Sequence, residues 1–374
     1  MSKNAATKKI RYAVVGLGHL AQKAVLPAFK NARNCELAAI VSGDKTKLKQ
    51  LSRLYDVERA YTYDQYDQCL RSGAIDAVFI GLPNHLHCEY SVRAANAGVH
   101  VLCEKPMAID EDECRRMIAA CKKSKTKLMI AYRLHFEEGT LDAIELAASG
   151  KLGELRFFTA AFSQQVKAGN VRVTEPVDRG GGSLYDMGVY CINAARYLFR
   201  DEPVEVTGAM ANGGDPRFRQ TGEEMTTAIL RFPGERIATI TSSFGAAPFS
   251  EYALVGTDGW LRFSPAYEYA DPLCAEIKIA KRDPVRRKYP LVDQFGGELV
   301  YFSDCILKNR EPEPDGYEGL ADIRIVRAII ESARSGEPVK LGHFQKDARP
   351  SRKQLIRKPP VAMGKPLKAH SPTR

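Results

Sequence analysis

The stretch AVVGLGHLA, residues 13–21, decides the fold class. It places Gly16, Gly18 and Ala21 in the pattern G-x-G-x-x-A, directly after the apolar run IRYAVV and at the start of a helical pattern. Glycine at 16 permits a tight turn, glycine at 18 lets the backbone approach a pyrophosphate, and alanine at 21 lets the helix pack closely. The helix N-terminus adds free N–H groups and a positive dipole. This context predicts the phosphate-binding turn of a βαβ dinucleotide site.

Short apolar runs alternate with helical patterns over the first third of the chain. The runs predict strands near 10–16, 36–43, 59–61, 74–83, 100–105 and 127–133. Helices are predicted after Gly18 and near 45–55, 64–72, 85–98 and 110–124. Apolar strands that alternate with helices indicate a parallel sheet covered on both faces. We therefore predict an α/β Rossmann dinucleotide-binding domain over residues 1–133.

The pattern changes after residue 133. Helices are predicted near 137–149, 185–199, 294–308 and 316–334, and strands follow one another in VEVTGAM, MTTAILRF, RIATITSSF, EYALVGT and GWLRFSP. Strands that succeed one another without helices form antiparallel sheets. We predict an α+β substrate-binding domain over 134–345 with a large open, mainly antiparallel sheet. An exposed sheet face of this kind would pack subunits together as a homodimer or homotetramer.

The positive charge is concentrated at the C-terminal end. The chain carries a formal net charge of +10, yet residues 346–374 hold nine Lys/Arg and one Asp. The remaining 46 basic and 44 acidic side chains are nearly balanced, which argues against a nucleic-acid-binding face. The segment 346–374 is predicted to be a basic, flexible tail, with an anionic partner or a subunit contact as alternatives.

The cysteines and the hydropathy exclude other classes of protein. Nine cysteines are scattered without a C-x-x-C pair, which argues against a zinc site or a disulfide framework, and no metal site is predicted. No apolar run approaches the ~20 residues that span a membrane. The N-terminal residues lack the apolar segment of a signal peptide. We expect a cytoplasmic protein without a membrane partner.

The end of the second strand indicates the nucleotide. An NAD enzyme usually carries an acidic residue there, which binds the ribose 2′-hydroxyl. This chain has Ser42 and Gly43, with Lys47 beyond, and a hydroxyl with an ammonium suits a 2′-phosphate. Asp44 is the opposing signal, because it could turn toward the ribose. We predict NADP in preference to NAD.

Two further segments place polar residues at strand ends, GLPNHLH at 81–87 and VLCEKPM at 101–107. Ligands bind outside the carboxyl ends of the strands in an open parallel sheet, so both segments face the dinucleotide. Lys105 thereby reaches the nicotinamide end, where the substrate must lie, and Pro106 stiffens the turn. His87 has an alternative role as a helix-start residue that bonds the backbone.

The chain resembles the Gfo/Idh/MocA oxidoreductase family from about residue 8 to 340, and its glucose–fructose oxidoreductase branch in particular. The resemblance is carried by these motifs together with AYR at 131–133 and GGGSLYDMGVY at 180–190. The resemblance implies that Lys105, Asp186 and Tyr190 are catalytic. It implies substrate contacts from these three and from Tyr132 and Arg133, although packing is an alternative role for Tyr132 and for Asn84. The implied cofactor contacts are Gly16, Gly18, His19, Leu20, Ser42, Gly43, Lys47, Leu82, Pro83, Asn84, His87, Glu104, Lys105 and Arg133.

The implied chemistry requires these residue types. Tyr190 would take the sugar hydroxyl proton while hydride leaves carbon, Lys105 would stabilise the developing alkoxide, and Asp186 would orient both. Two departures from the family leave questions open. The segment 164–179 replaces a longer, tryptophan-containing stretch over the substrate, so the sugar is not identified. Only about nine residues precede the first strand instead of a long arm, so cofactor retention is not settled.

The function expected is an NADP-dependent oxidoreductase that oxidises a cyclic aldose at C1 to a lactone, with or without coupled reduction of a second sugar. One alternative is a simple NAD(P)-dependent dehydrogenase or reductase of another polyol, such as xylose or an inositol. A second alternative is an NADP-sensing regulatory protein. The presence of Lys105, Asp186 and Tyr190 argues against the sensor, which would not need reactive groups.

Overall fold

The first sheet has six parallel strands in the order β3-β2-β1-β4-β5-β6. The computed structural model describes residues 8–346, 348–362 and 364–373. The strands are β1 (Ile10–Val15), β2 (Cys35–Val41), β3 (Arg59–Tyr61), β4 (Ala77–Ile80), β5 (His100–Glu104) and β6 (Leu128–Ala131). The sequence prediction of a parallel Rossmann sheet is confirmed, and even the short third strand is present.

Helices cover both faces of this sheet. The helix after Gly18 begins with a π-helical turn at Ala21–Val25, continues as α1 (Leu26–Ala28), where Pro27 lacks the N–H that a regular helix uses, and ends in a 3₁₀ turn at Phe29–Asn31. The other helices of this part are α2 (Lys45–Tyr55), α3 (Tyr66–Arg71), α4 (His87–Asn96) and α5 (Glu111–Ser124). Their apolar sides pack on strands whose residues are almost all buried.

The second sheet has nine strands in the order β14-β13-β12-β11-β7-β10-β9-β8-β15. All of its pairings are antiparallel except that of β7 with β10, which confirms the predicted mainly antiparallel sheet. The strands are β7 (Leu155–Ser163), β8 (Glu205–Ala211), β9 (Met225–Phe232), β10 (Arg236–Ser243), β11 (Phe249–Gly256), β12 (Gly259–Phe263), β13 (Cys274–Ile279), β14 (Val285–Lys288) and β15 (Val339–Lys340).

One face of the second sheet is covered by helices and the other is open. The helices after residue 133 are α6 (Glu138–Ala148), α7 (Val171–Thr174), α8 (Val189–Phe199), α9 (Gln294–Leu307) and α10 (Gly316–Ser335). Helix α10 packs along β8 and α8 against β7 and β10, whereas α9 packs against β1 and β2 of the first sheet. Strand β9 alternates strictly between the two faces: Leu230 is buried, whereas its neighbours Ile229 and Arg231 are exposed. The open face carries apolar side chains, including Phe157, Ile229 and Ile237.

The basic tail differs from the predicted flexible end. Arg349 donates to Glu202 at 2.8 Å, Arg357 donates to Glu138 at 2.8 and 2.9 Å, and Asn31 donates to the Pro359 carbonyl at 2.7 Å. Two arginines of the tail are therefore paired with acidic groups of the folded body, a pairing between distant residues that composition does not reveal.

The described residues form neither a helix that could span a bilayer nor a cluster that could hold a metal ion. Within residues 8–346, 348–362 and 364–373, none of the helices combines the length and hydrophobicity that a bilayer span requires. The same residues do not bring three or more His, Cys, Asp or Glu side chains together as a possible metal site.

Candidate active site

A cleft of about 840 Å³ runs along the carboxyl ends of β1, β4 and β5 and continues against the second sheet. Its lining includes the turn at Gly16 and Gly18 at one end and Lys105, Asp186 and Tyr190 at the other. The predicted site residues that line it are Gly16, Gly18, His19, Leu20, Ser42, Lys47, Leu82, Pro83, Asn84, His87, Glu104, Lys105, Arg133, Asp186 and Tyr190. The structure thus brings together residues that are far apart in the chain.

The glycine turn fits a pyrophosphate. Gly16 has φ +94°, and a Cβ there would lie 2.4 Å from the Gly81 carbonyl oxygen, so only glycine is tolerated. A Cβ on Gly18 would have no protein atom within 4 Å, so the backbone faces open space. The first turn of the helix follows and leaves N–H groups available to an anion.

The charge around this turn is positive. Burial lowers the pKa of His19, and the charges of Lys23, Arg172 and Lys167 lower it further. A positive field at a glycine turn favours the negatively charged phosphates of a dinucleotide. The residues present therefore fit the cofactor that the turn predicts.

The carboxyl end of β2 presents hydrogen-bond donors to the cleft rather than an acidic acceptor. Ser42 and Lys47 line the cleft. Asp44 instead caps α2, since its Oδ1 accepts hydrogen bonds from the Thr46 N–H at 2.8 Å and the Lys47 N–H at 3.0 Å. The bond from the Lys47 N–H holds the pKa of Asp44 below its usual value. Gly43 lies outside the lining, beside the Tyr63 ring, so its predicted cofactor contact is not seen.

Lys105 joins the two halves of the cleft. It follows β5, and its Nζ donates to the Asp186 carbonyl oxygen at 2.7 Å and to Asp186 Oδ1 at 3.1 Å. The same ammonium lies 4.5 Å from the centre of the Tyr190 ring, a distance typical of a cation–π contact. The side chain of Lys105 is only 8% exposed, so these interactions are formed with little screening by water.

Asp186 is held as a carboxylate by two cations. Arg172 Nε contacts its Oδ2 at 2.8 Å, opposite the contact with Lys105. Burial alone would raise the pKa of Asp186, but Arg172 and Lys105 lower it to about 2. The residue lies in a π-helical turn, Leu184–Gly188, that leads directly into α8 and Tyr190. Such turns are frequent at functional sites.

Arg133 supports the Tyr190 hydroxyl. Its Nε donates to the Tyr190 hydroxyl oxygen at 3.1 Å, and its Nη1 donates to Gln294 Oε1 at 2.6 Å. A further bond to the Tyr267 carbonyl oxygen fixes the guanidinium. Two cations, Lys105 and Arg133, therefore surround the phenol, and both would stabilise a phenolate.

Glu104 has a different environment from its neighbour Lys105. Glu104 is the last residue of β5 and is 7% exposed. Burial raises the pKa of Glu104 to about 7, against the opposing charges of Lys105 and Arg133. Its oxygen accepts the Lys105 N–H at 3.2 Å, so the carboxyl group supports the turn that carries the lysine.

Two predicted site residues have structural roles. Each ring nitrogen of His87 lies 2.9 Å from a backbone carbonyl oxygen, that of Pro106 or that of Leu82, so no nitrogen is left for a ligand. This is the backbone-bonding alternative for that residue. Tyr132 lies outside the cleft, 3% exposed and stacked on His135, so the predicted substrate contact is replaced by core packing.

Sequence reasoning missed several residues of the cleft. Arg172 comes from the segment 164–179, where the departure from the family indicated only an altered cover over the substrate. Glu268 lies in a connection without a motif, and no local signal marks it. Residues 368–373 also line the cleft, because the tail folds back over the body.

Comparison with known proteins agrees with this geometry. A family model described as an oxidoreductase family with an NAD-binding Rossmann fold matches residues 10–132. A second, described as the GFO/IDH/MocA C-terminal domain, matches residues 140–262. The D-xylose 1-dehydrogenase [NADP(+)] of Haloarcula marismortui is 30% identical over 341 residues, 89% of this chain and 93% of that protein.

Two solved structures extend the likeness to three dimensions. The aldose-aldose oxidoreductase of Caulobacter crescentus, solved with glycerol, is 36% identical with a TM-score of 0.85, covering 89% of this chain and 100% of that one. The 3-ketoreductase KijD10 of Actinomadura kijaniata, solved with NADP and TDP-benzene, is 25% identical with a TM-score of 0.79, covering 87% and 98%. The resemblance that the motifs indicate is therefore confirmed, and the chain belongs to the Gfo/Idh/MocA family of NAD(P)-dependent oxidoreductases.

Proposed function

We propose that this enzyme transfers hydride between C1 of a cyclic aldose and NADP. The observation that carries the proposal is the contact of Lys105 with Asp186 and with the Tyr190 ring, at the end of the cleft that begins with the Gly16 turn. A lysine, a carboxylate and a phenol at the nicotinamide end provide what alcohol oxidation needs, a proton acceptor and a stabiliser of the alkoxide.

The residues divide the proton chemistry between them. When bound, NADP would supply the acceptor for the C1 hydrogen and its electron pair, at C4 of the nicotinamide. The C1 hydroxyl proton passes to the Tyr190 oxygen, and the C1–O bond becomes the carbonyl of a lactone. Lys105 and Arg133 stabilise the negative charge that the phenol and the alkoxide share, and Asp186 holds the lysine in place.

The preference for NADP rests on the end of β2. Asp44 uses Oδ1 to cap α2, so the acidic group that would accept a ribose 2′-hydroxyl is engaged elsewhere. Ser42 and Lys47 remain as donors for a 2′-phosphate. The xylose dehydrogenase relative is named for NADP(+), and KijD10 was solved with NADP, which supports the same nucleotide here.

The substrate class rests on the same relatives. Their names give D-xylose and aldoses as substrates, and both fit a cleft that ends in Lys105, Asp186 and Tyr190. Coupled reduction of a second sugar is a further possibility that the aldose-aldose relative supports. A polyol such as an inositol is the competing substrate class.

A nucleotide and sugar panel tests this proposal. Initial rates of NADPH formation are measured with D-xylose, D-glucose and myo-inositol, each with NADP and with NAD. We expect turnover of an aldose with NADP, at least about tenfold better than with NAD, which is the gain from one charge-assisted contact. Faster oxidation of the inositol would contradict the aldose assignment. Tight NADP binding without turnover of any sugar would favour the nucleotide-sensing alternative.

The open face of the second sheet supports a proposal for assembly. Phe157 on β7 is 46% exposed and Ile229 on β9 is 44% exposed. Ile237 on β10 pairs with Phe157 and is the diagonal neighbour of Ile229. Contiguous apolar surface of this kind marks a subunit interface, so we propose a homodimer or homotetramer through this face. Sedimentation velocity should show the oligomer, and Ile229→Arg should shift it to monomer; a monomeric unmodified protein would refute the interface.

A further inference from the structure

We propose that residues 364–373, here termed the strap, form part of the cofactor site, with Lys368 as a ligand of the NADP 2′-phosphate. The inference rests on the proposed use of NADP. It assigns nucleotide selectivity and cofactor retention to a segment that composition alone describes as a solvated tail.

The first anchor of the strap is on the helix that follows the glycine turn. The Leu367 N–H donates to Gln22 Oε1 at 2.7 Å, and Gln22 Nε2 donates to the Leu367 carbonyl oxygen at 3.1 Å. Gln22 is 6% exposed, and its Nε2 also donates to the Leu17 carbonyl oxygen at 2.9 Å, inside the phosphate-binding turn. The strap is thereby tied to the backbone that holds the pyrophosphate.

The next residue places a cation at the adenosine end of the cleft. Lys368 Nζ lies 3.5 Å from Asp44 Oδ2, and Lys368 lines the cleft together with Ser42 and Lys47. Its side chain remains 57% exposed. An ammonium group has three donors, so a 2′-phosphate could be bound while Asp44 stays paired. The pairing also offsets the negative charge of Asp44, which would otherwise repel that phosphate.

The second anchor is in the other domain. The Lys167 N–H donates to the Pro372 carbonyl oxygen at 2.9 Å, and Thr373 forms an antiparallel bridge with Val166. Residues 166 and 167 begin the segment that carries Arg172 to Asp186. Between the anchors, residues 368–373 line the cleft. The strap therefore crosses from the helix behind the glycine turn to the substrate side, where it would cover part of a dinucleotide bound in the cleft.

Four proteins test the strap: the full chain, a form lacking residues 364–374, Lys368→Ala and Lys365→Ala. Lys365 is the matched control, because it is an exposed lysine of the same segment that does not line the cleft. Two quantities are measured without any sugar present. One is the rate of NADPH release, followed by stopped-flow fluorescence with excess competitor; the other is the Kd of NADP and of NAD.

We expect the deletion to speed NADPH release at least about tenfold, and Lys368→Ala to weaken NADP about tenfold while the Kd of NAD changes less than about twofold. Lys365→Ala should change neither quantity.

Circular dichroism checks that each variant is folded. Unchanged release and an unchanged ratio of the two Kd values would overturn the proposal. Slower release after deletion would also overturn it, since the strap would then occupy the nucleotide's own position. If the full chain itself prefers NAD, the proposed cofactor is wrong, a result distinct from any effect of the strap.

Discussion

Replacing Lys105 with methionine should lower kcat for aldose oxidation by ~10²–10⁴ while leaving NADPH binding nearly unchanged. Methionine keeps the bulk of the side chain but removes the ammonium that contacts Asp186 and lies over the Tyr190 ring. Asp186 would keep its ion pair with Arg172, so the carboxylate is not left without a partner and the local fold should survive. The substitution should therefore weaken stabilisation of the transition state and leave binding of the cofactor unchanged.

Steady-state rates and NADPH fluorescence titration measure these two effects separately. Lys122→Met serves as the control, because Lys122 is exposed on α5, far from the cleft lining. Rescue of part of the activity in Lys105→Arg would show that the positive charge is what matters. Full turnover in Lys105→Met would remove this lysine from the mechanism.

Replacing Tyr190 with phenylalanine should lower kcat by ~10²–10⁴ as well, since the proton acceptor is lost. The ring, its packing on Phe162 and its contact with the Lys105 ammonium all remain. Arg133 loses one acceptor but keeps its bonds to Gln294 and to the Tyr267 carbonyl oxygen. Cofactor affinity should therefore stay within about twofold, because no group near the phosphates or the ribose changes.

Tyr132→Phe is the matched control for this variant. It removes the same hydroxyl from a tyrosine that the sequence predicts to contact substrate and that the structure buries against His135. We expect kcat within about twofold of the unmodified enzyme. Equal losses in the two variants would mean that the phenol of Tyr190 has no special role. A loss in Tyr132→Phe alone would mean that the site is assigned to the wrong tyrosine.

Much of the fold could be predicted because its signals are local. The Gly16 turn, the buried parallel strands and the rapid succession of later strands each leave a pattern within a few residues. Strand β14 was not predicted, because all four of its residues are exposed and three of them are charged. Neither alternation nor an apolar run marks such a strand. Helix α1 and its flanking turns depart from a regular helix around Pro27.

The candidate site could be predicted only where a motif carries it. Lys105 is placed by the end of a strand, and Asp186 and Tyr190 by the resemblance of GGGSLYDMGVY to the family, with which their spacing of four residues agrees. Arg172 and Lys368 could not be found in this way. Arg172 belongs to the segment 164–179 and Lys368 to the C-terminal tail, and only the folded chain brings these two segments to the cleft. Ion pairs between distant residues leave no local pattern.

The most direct test of the account is the fate of the hydrogen on C1. D-xylose or D-glucose deuterated at C1 is incubated with the enzyme and NADP, and both products are examined by mass spectrometry and NMR. If hydride passes from C1 to the nicotinamide, the deuterium must appear at C4 of NADPH, and the sugar product must be a lactone without it. Deuterium retained in the oxidised sugar, or released to water, would contradict the central claim.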